Sequence, residues 1–219
     1  MTTFPNSPAV LKGGLVLVDP TTAAVRGVIA LQYNPDTVSR TLQVKGAGQE
    51  GGERSEALRL KGPPTETIKL DAEIDATDQL EFPDQHTVAT RSGVFPALSA
   101  LETIVYPTSA QLQANNELAA AGTLEILPME SALTLFVWSK SRIVPVRITD
   151  FSVTEEAFDV ALNPIRARVS LGMRVLSVDD VGFSHRGGGL FMSYLQQKEQ
   201  LAGQRAGAGL RTLGLTGIG

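Results

Sequence analysis

The chain of 219 residues has no cysteine, only two histidines and a single tryptophan. Without cysteine there are no disulfide staples, no thiol nucleophile and no thiolate metal site. His86 and His185 lie far apart in expected loops, and neither has a second histidine at metal-binding spacing. HExxH, GxSxG, a P-loop and a strand-linked GxGxxG are all missing. No catalytic residue, metal ligand or cofactor is therefore assigned, and the chain reads as a non-enzyme. Charged residues make up 19%, and the net charge is -4, so nothing points to nucleic acid. No apolar run approaches the ~20 residues of a membrane span, which argues against direct membrane insertion. The start, MTTFPNSPAV, lacks the basic and apolar regions of a secretory signal, so a cytoplasmic protein is expected.

What the chain does have is alternation. Residues 133–176 carry the clearest of it and the only tryptophan. Leu133, Leu135 and Val137 alternate with Thr134, Phe136 and Trp138. Both faces are apolar, which predicts a strand covered on both sides. Ser139 to Ser141 forms a turn. A second strand runs from Ile143 to Phe151 and on to Glu155. Its inward set shifts from Val144, Val146 and Ile148 to Phe151 and Val153, which predicts a bulge near Thr149-Asp150. After Asn163-Pro164, Ile165, Ala167, Val169, Leu171, Met173 and Val175 face inward. Arg166, Arg168 and Arg174 face outward, with Glu155, Glu156 and Asp159 placed to pair with them.

Upstream, Gly14–Val18 and Val25–Tyr33 predict a hairpin, and 36–44 predicts a third strand. Lys45–Arg54 holds four glycines and reads as a surface loop. Residues 65–76 alternate Ile68, Leu70, Ala72 and Ile74 against Lys69, Asp71, Glu73 and Asp75. That is a half-buried strand with a solvated charged face. Its carboxylates do not follow a calcium-loop spacing. Asp84–Ser92 reads as a loop. Val94–Tyr106 has helical apolar spacing, with Pro96 in the first turn and Pro107 as a stop. Residues 108–122 form a short helix or a surface excursion.

The expected organisation is an arm (1–13), a β domain (14–180) and a Gly-rich tail (181–219). Gly187–Gly189 reads as a flexible linker. A short amphipathic helix follows, with Leu190, Phe191, Tyr194, Leu195 and Leu201 as candidates for docking on a partner. From His185 onward the tail carries +3, leaving -7 on the rest. Overall, the fold class is mainly β (α+β): a β-barrel or sandwich with one packed helix and extended arms.

Several short motifs occur in a fixed order: Tyr33-Asn34-Pro35, Leu70-Asp71 with Ile74-Asp75, Phe136-Val137-Trp138, then Phe158-Asp159 and Asn163-Pro164-Ile165-Arg166-Ala167. This order, over roughly residues 14–178, resembles the tube-like domain of contractile injection systems, the phage-tail-like particles. It looks most like their baseplate tube-initiator proteins, which often carry a LysM module. The resemblance implies a phage tail-tube-like β-barrel, a hexameric ring and a channel continuous with the inner tube. The implied partners are further copies of the chain, the spike protein, the inner tube protein and other baseplate subunits. No LysM repeat follows residue 178, so peptidoglycan binding is not implied. The implied function is structural, as a baseplate tube initiator in a particle that is released or acts at a membrane. The alternatives are the inner tube protein itself and, in a different class, a small-ligand-binding β-barrel. In the leading reading, Arg166, Arg168, Arg174, Glu155 and Glu156 are candidate subunit or channel contacts.

Overall fold

A computed structural model of the protein describes residues 11–46, 59–122, 131–205, 207 and 209–218. The expected arm at 1–13 and the Gly-rich loop at 45–54 fall mostly outside these residues.

Seven strands form: β1 (Gly14–Val18), β2 (Val25–Ala30), β3 (Val38–Gln43), β4 (Thr65–Asp75), β5 (Leu133–Ser139), β6 (Arg142–Phe158) and β7 (Pro164–Val175). They make one antiparallel sheet in the order β2-β1-β5-β6-β7-β4-β3. β6 organises it. Its first residues pair with β5, and Val146 to Phe158 pair with β7. The register shifts between Ile148 and Asp150, where the hydrophobic phase changes. An extra residue there bends the strand and re-aims its side chains. β6 thereby joins two half-sheets that fold over one another.

The main core lies between them. Leu15, Phe136, Val144 and Val146 come from one half; Ile68, Leu70, Val169, Leu171 and Met173 come from the other. The alternation of Ile68 to Ile74 and of Ala167 to Val175 follows from the strand period of two.

The mainly β fold with packed helices is as expected, but of the barrel or sandwich the barrel does not close: among the described residues β2 and β3 each have one strand neighbour. The seven residues between them curl the sheet without closing it. Gln32, in that connector, donates from Nε2 to the Asp75 carbonyl (2.6 Å) and accepts from the Asp75 N–H at Oε1 (3.0 Å). Its amide thereby satisfies both backbone groups of Asp75 at the end of β4.

The helices are α1 (Thr77–Leu80), α2 (Thr87–Ser92), α3 (Phe95–Glu102), α4 (Ser109–Ala120), α5 (Val178–Val181) and α6 (Arg186–Gly203). α2 replaces the expected loop because Ala89 finds a place in the core. α3 is shorter than predicted and buries Leu98 and Leu101. Gly93, at φ +55, ends α2; a Cβ there would sit 2.1 Å from the Pro164 carbonyl. That close approach lets the Val94 N–H donate to the same carbonyl. α4 has a complete capping box between Thr108 and Gln111, yet it buries no residue.

Gly187–Gly189 is not a linker; it forms the first turn of α6. Glycine weakens a helix by roughly 0.5–1 kcal/mol per residue relative to alanine, so packing must hold this turn. The His185 Nδ1 caps it by accepting from the Gly187 N–H (3.0 Å). Gly188 lies so close to the Gly182 carbonyl that a Cβ would be 2.0 Å away. Only glycine permits that approach.

Candidate functional site

Two surfaces of the β6-β7-β4-β3 half face opposite ways. The inner surface is core. The outer one displays Asp71, Glu73 and Asp75 from β4, Arg166, Arg168 and Ser170 from β7, and Ser152, Thr154 and Glu156 from β6. Register sets these in rows: Asp75, Arg166 and Glu156 lie abreast, then Glu73, Arg168 and Thr154, then Asp71, Ser170 and Ser152. Apolar side chains that alternate with them point into the core, so these must point away from it. α3 and α6 supply their buried side chains to the core instead. Among the described residues, this half-sheet therefore keeps one polar face bare.

Arg166 donates from Nε to Asp75 Oδ2 (2.8 Å) and lies 3.8 Å from Glu73. Asp75, followed by Glu73 and Glu156, raises the Arg166 pKa. Desolvation by burial raises the Asp75 pKa, but bonds from Thr77 and Arg166 outweigh it and hold the carboxyl below its ordinary value. The expected partners of Arg166 thus change. Glu156 lies opposite it, but the bond goes to β4. Arg168 is exposed and makes no ion pair among the described residues. Glu155 is exposed beyond the core, beside Ala167. Arg174 pairs with Asp180, while its buried Nε has no partner among the described residues.

The predicted docking residues of the tail separate into two groups. Phe191 and Tyr194 are buried in this chain's own main core. Leu195 packs partly against that core, and Leu190 packs against a second cluster of Val18, Leu133 and Leu135. Leu201 stays exposed. A polar latch fixes the helix. Glu66, 3% exposed, accepts from Tyr194 Oη (2.9 Å) and Lys198 Nζ (2.9 Å), and Arg40 Nη1 donates to Tyr194 Oη (3.1 Å). The Lys198 ammonium also stands 4.1 Å from the Tyr194 ring centre. A buried carboxylate of this kind is tolerable because every neighbour is a donor.

Sequence reasoning missed the β6-β7 hairpin tip. Phe158, Val160 and Leu162 are 50%, 107% and 76% exposed there. The Asp159 carboxylate accepts from the N–H groups of Ala161 (2.7 Å) and Asn163 (2.8 Å) and from Asn163 Nδ2 (2.8 Å). Asn163, and behind it Ala161, hold its pKa below the ordinary value. The Asn163 amide also donates to the Arg91 carbonyl (3.2 Å), which ties the tip to α2. The signal was an Asp and an Asn four apart, a turn signature enclosing apolar residues.

No protein-family model matches the chain, and no curated protein does. Among solved structures it is similar to a chain in the tail of an empty GTA particle refined helically with C6 symmetry. The identity is 11%, 75% of this chain and 90% of that one are covered, and the TM-score is 0.30. It is also similar to a chain in the virion of a native gene transfer agent particle, at 10% identity, 74% and 90% coverage and a TM-score of 0.28. Likenesses of this size carry no argument about fold or function.

Proposed function

We propose that the protein is a structural ring subunit of a contractile injection system, a baseplate tube initiator joining the spike to the inner tube. The observation that carries this reading is the half-sheet with one face in the core and one face bare and polar. A water-filled channel needs such a wall. The motif order from Tyr33-Asn34-Pro35 to Asn163–Ala167 supports the same assignment. The two unpaired edges, β2 and β3, are each six residues long, and neither contains proline. Such edges invite pairing with another chain. Because they lie at opposite ends of one sheet, copies would join head to tail and close a ring, six-fold as the resemblance implies. Arg166, Arg168 and Glu156 would then face the channel, Glu155, on the other side of β6, would face a neighbour, and Leu201 with the exposed Leu213 and Ile218 would meet the spike or another baseplate ring.

A second reading, the inner tube protein, is favoured by the apolar hairpin tip, which offers a contact along the channel axis. Electron microscopy of assembled particles tests both. One ring of this chain at the spike end supports the initiator. Stacked rings along the shaft support the tube protein. A chain that stays monomeric and labels neither position sinks both.

A further inference from the structure

A cleft of about 290 Å³ opens between the first three helices and the sheet. α1, α2 and α3 enclose it together with Gln32 and the last residues of β4. Ile74, Ala76, Ala89 and Val94 line it, and all four are buried members of the main core. Val88, Pro96 and Ala97 also line it and are exposed. The core thus reaches the surface here, and apolar walls continue it outward. Concave, mainly apolar sites with a few polar groups are the usual form of a ligand site.

The polar lining is almost uncharged. It includes Gln79, Gln85, Thr87 and the His86 ring, and neither lysine nor arginine. Its one carboxylate, Asp75, is engaged by Thr77 and Arg166. A charged group entering the cleft would lose water without meeting an opposite charge, which is costly. An uncharged occupant avoids that cost. Gln32 shows what a carboxamide does at this place. It donates to the Asp75 carbonyl and accepts from the Asp75 N–H, so one side chain serves both polar groups of a backbone residue. Gln79 and Gln85 carry the same group, and their side chains make no hydrogen bond among the described residues. Each can offer a donor and an acceptor to an incoming peptide group.

We propose that this cleft binds an uncharged peptide segment of another protein. One aliphatic or aromatic side chain of that segment rests on the apolar floor, and the peptide groups flanking it bond to Gln79 and Gln85. Neither β2 nor β3 contributes a lining residue. The site is therefore separate from the edges that the proposed ring would use, and it stands or falls independently of ring closure.

Saturation-transfer NMR titrations on the full chain test the proposal with three probes. These are N-acetyl-leucinamide, N-acetyl-leucine with its free carboxylate, and leucinamide with its free ammonium. The expected result is saturation of the leucine methyls in the capped probe, with an apparent affinity about ten-fold or more above that of either charged probe. Ala97→Phe fills the cleft from an exposed position and should abolish the signal at an unchanged melting temperature. Gln85→Glu removes the donor end of one carboxamide and should weaken binding of the capped probe. No saturation of any probe, equal affinity for all three, or a signal that survives Ala97→Phe would each overturn the proposal. So would a cleft that takes the capped probe only after an assembly of the chain is dissociated, because its occupant would then be a second copy.

Discussion

The two half-sheets that share β6 solve the same problem differently. In the β2-β1-β5 half both faces are apolar. Leu15 and Phe136 enter the main core, while Val18, Leu133 and Leu135 form a second cluster on the other side, where Val16, Val137, Leu176 and Leu190 join them. In the β7-β4-β3 half one face enters the same core, and the other is left to Ser, Thr, Arg, Asp and Glu. One half is thus built to be covered by its own chain, and the other to face water or a neighbour. Burial on the outer side should matter for stability only in the first half.

The largest effect should come from the shared core. Phe136 is 1% exposed and stacks on Trp138 with ring centres 5.8 Å apart. Phe136→Ala should cost about 3–5 kcal/mol, read by chemical denaturation. Leu135→Ala, on the outer side of the same strand, should cost about 2–5 kcal/mol because Leu135 is 8% exposed. A near-neutral Leu135→Ala would mean that the second cluster is not a core and would erase the contrast.

Next comes the latch on α6. Lys198→Met keeps the aliphatic contact with Tyr194 but removes one donor from the buried Glu66. Losing one partner of a buried polar group costs about 1–3 kcal/mol. Faster hydrogen exchange in α6, with β4 and β7 unchanged, is the expected signature. Uniform loosening of the whole chain would show that the helix is part of the fold's nucleus and not a separable cover.

These contrasts also mark what the sequence could and could not reveal. The strands were legible because a period of two is local: residues 65–75, the bulge beside Asp150 and the inward set Ala167 to Val175 can all be read from neighbours. The two apolar faces of β5 were legible for the same reason. The docking of α6 was not. Three consecutive glycines signal a linker locally, and only the Gly182 carbonyl, reached through a tight tertiary approach, makes Gly188 a helix residue. Tyr194 looked available to a partner because its actual partner, Glu66, is 128 residues away. Arg166 was assigned correctly to the outer face, but its choice of Asp75 over Glu156 depends on which strand lies alongside. The sheet's failure to close was also illegible, since which strand edges meet depends on the curl of the whole sheet and not on neighbouring residues.

Smaller effects follow on the polar face. The folded pKa of Asp75 lies below its ordinary 3.8. A carboxyl with a depressed folded value adds stability that is present above the unfolded pKa and is lost as pH falls through the folded one. Asp75→Asn should therefore destabilise the chain at neutral pH, and the gap from the parent should narrow as pH drops below about 4. A gap that persists unchanged to pH 2 would mean that the Thr77 contacts, and not the charge beside Arg166, set its size.

The smallest effect on stability should carry the most functional information. Arg168 lies between Glu73 and Thr154 on the bare face and makes no ion pair among the described residues. Arg168→Glu should change unfolding free energy by no more than about 0.5 kcal/mol, the usual range for an exposed site without special contacts. It also places a carboxylate directly opposite Glu73, and like charges so placed repel, so any cost at low salt should shrink as salt is added. If the face touches a neighbouring copy or lines a shared channel, the same substitution should reduce ring assembly, measured by light scattering and imaging, far more than it reduces stability. Full assembly of the variant would show that this arginine is only a solvated charge. A large loss of stability would show instead that the outer face of the β7-β4-β3 half is covered after all, and the distinction between the two half-sheets would fall with it.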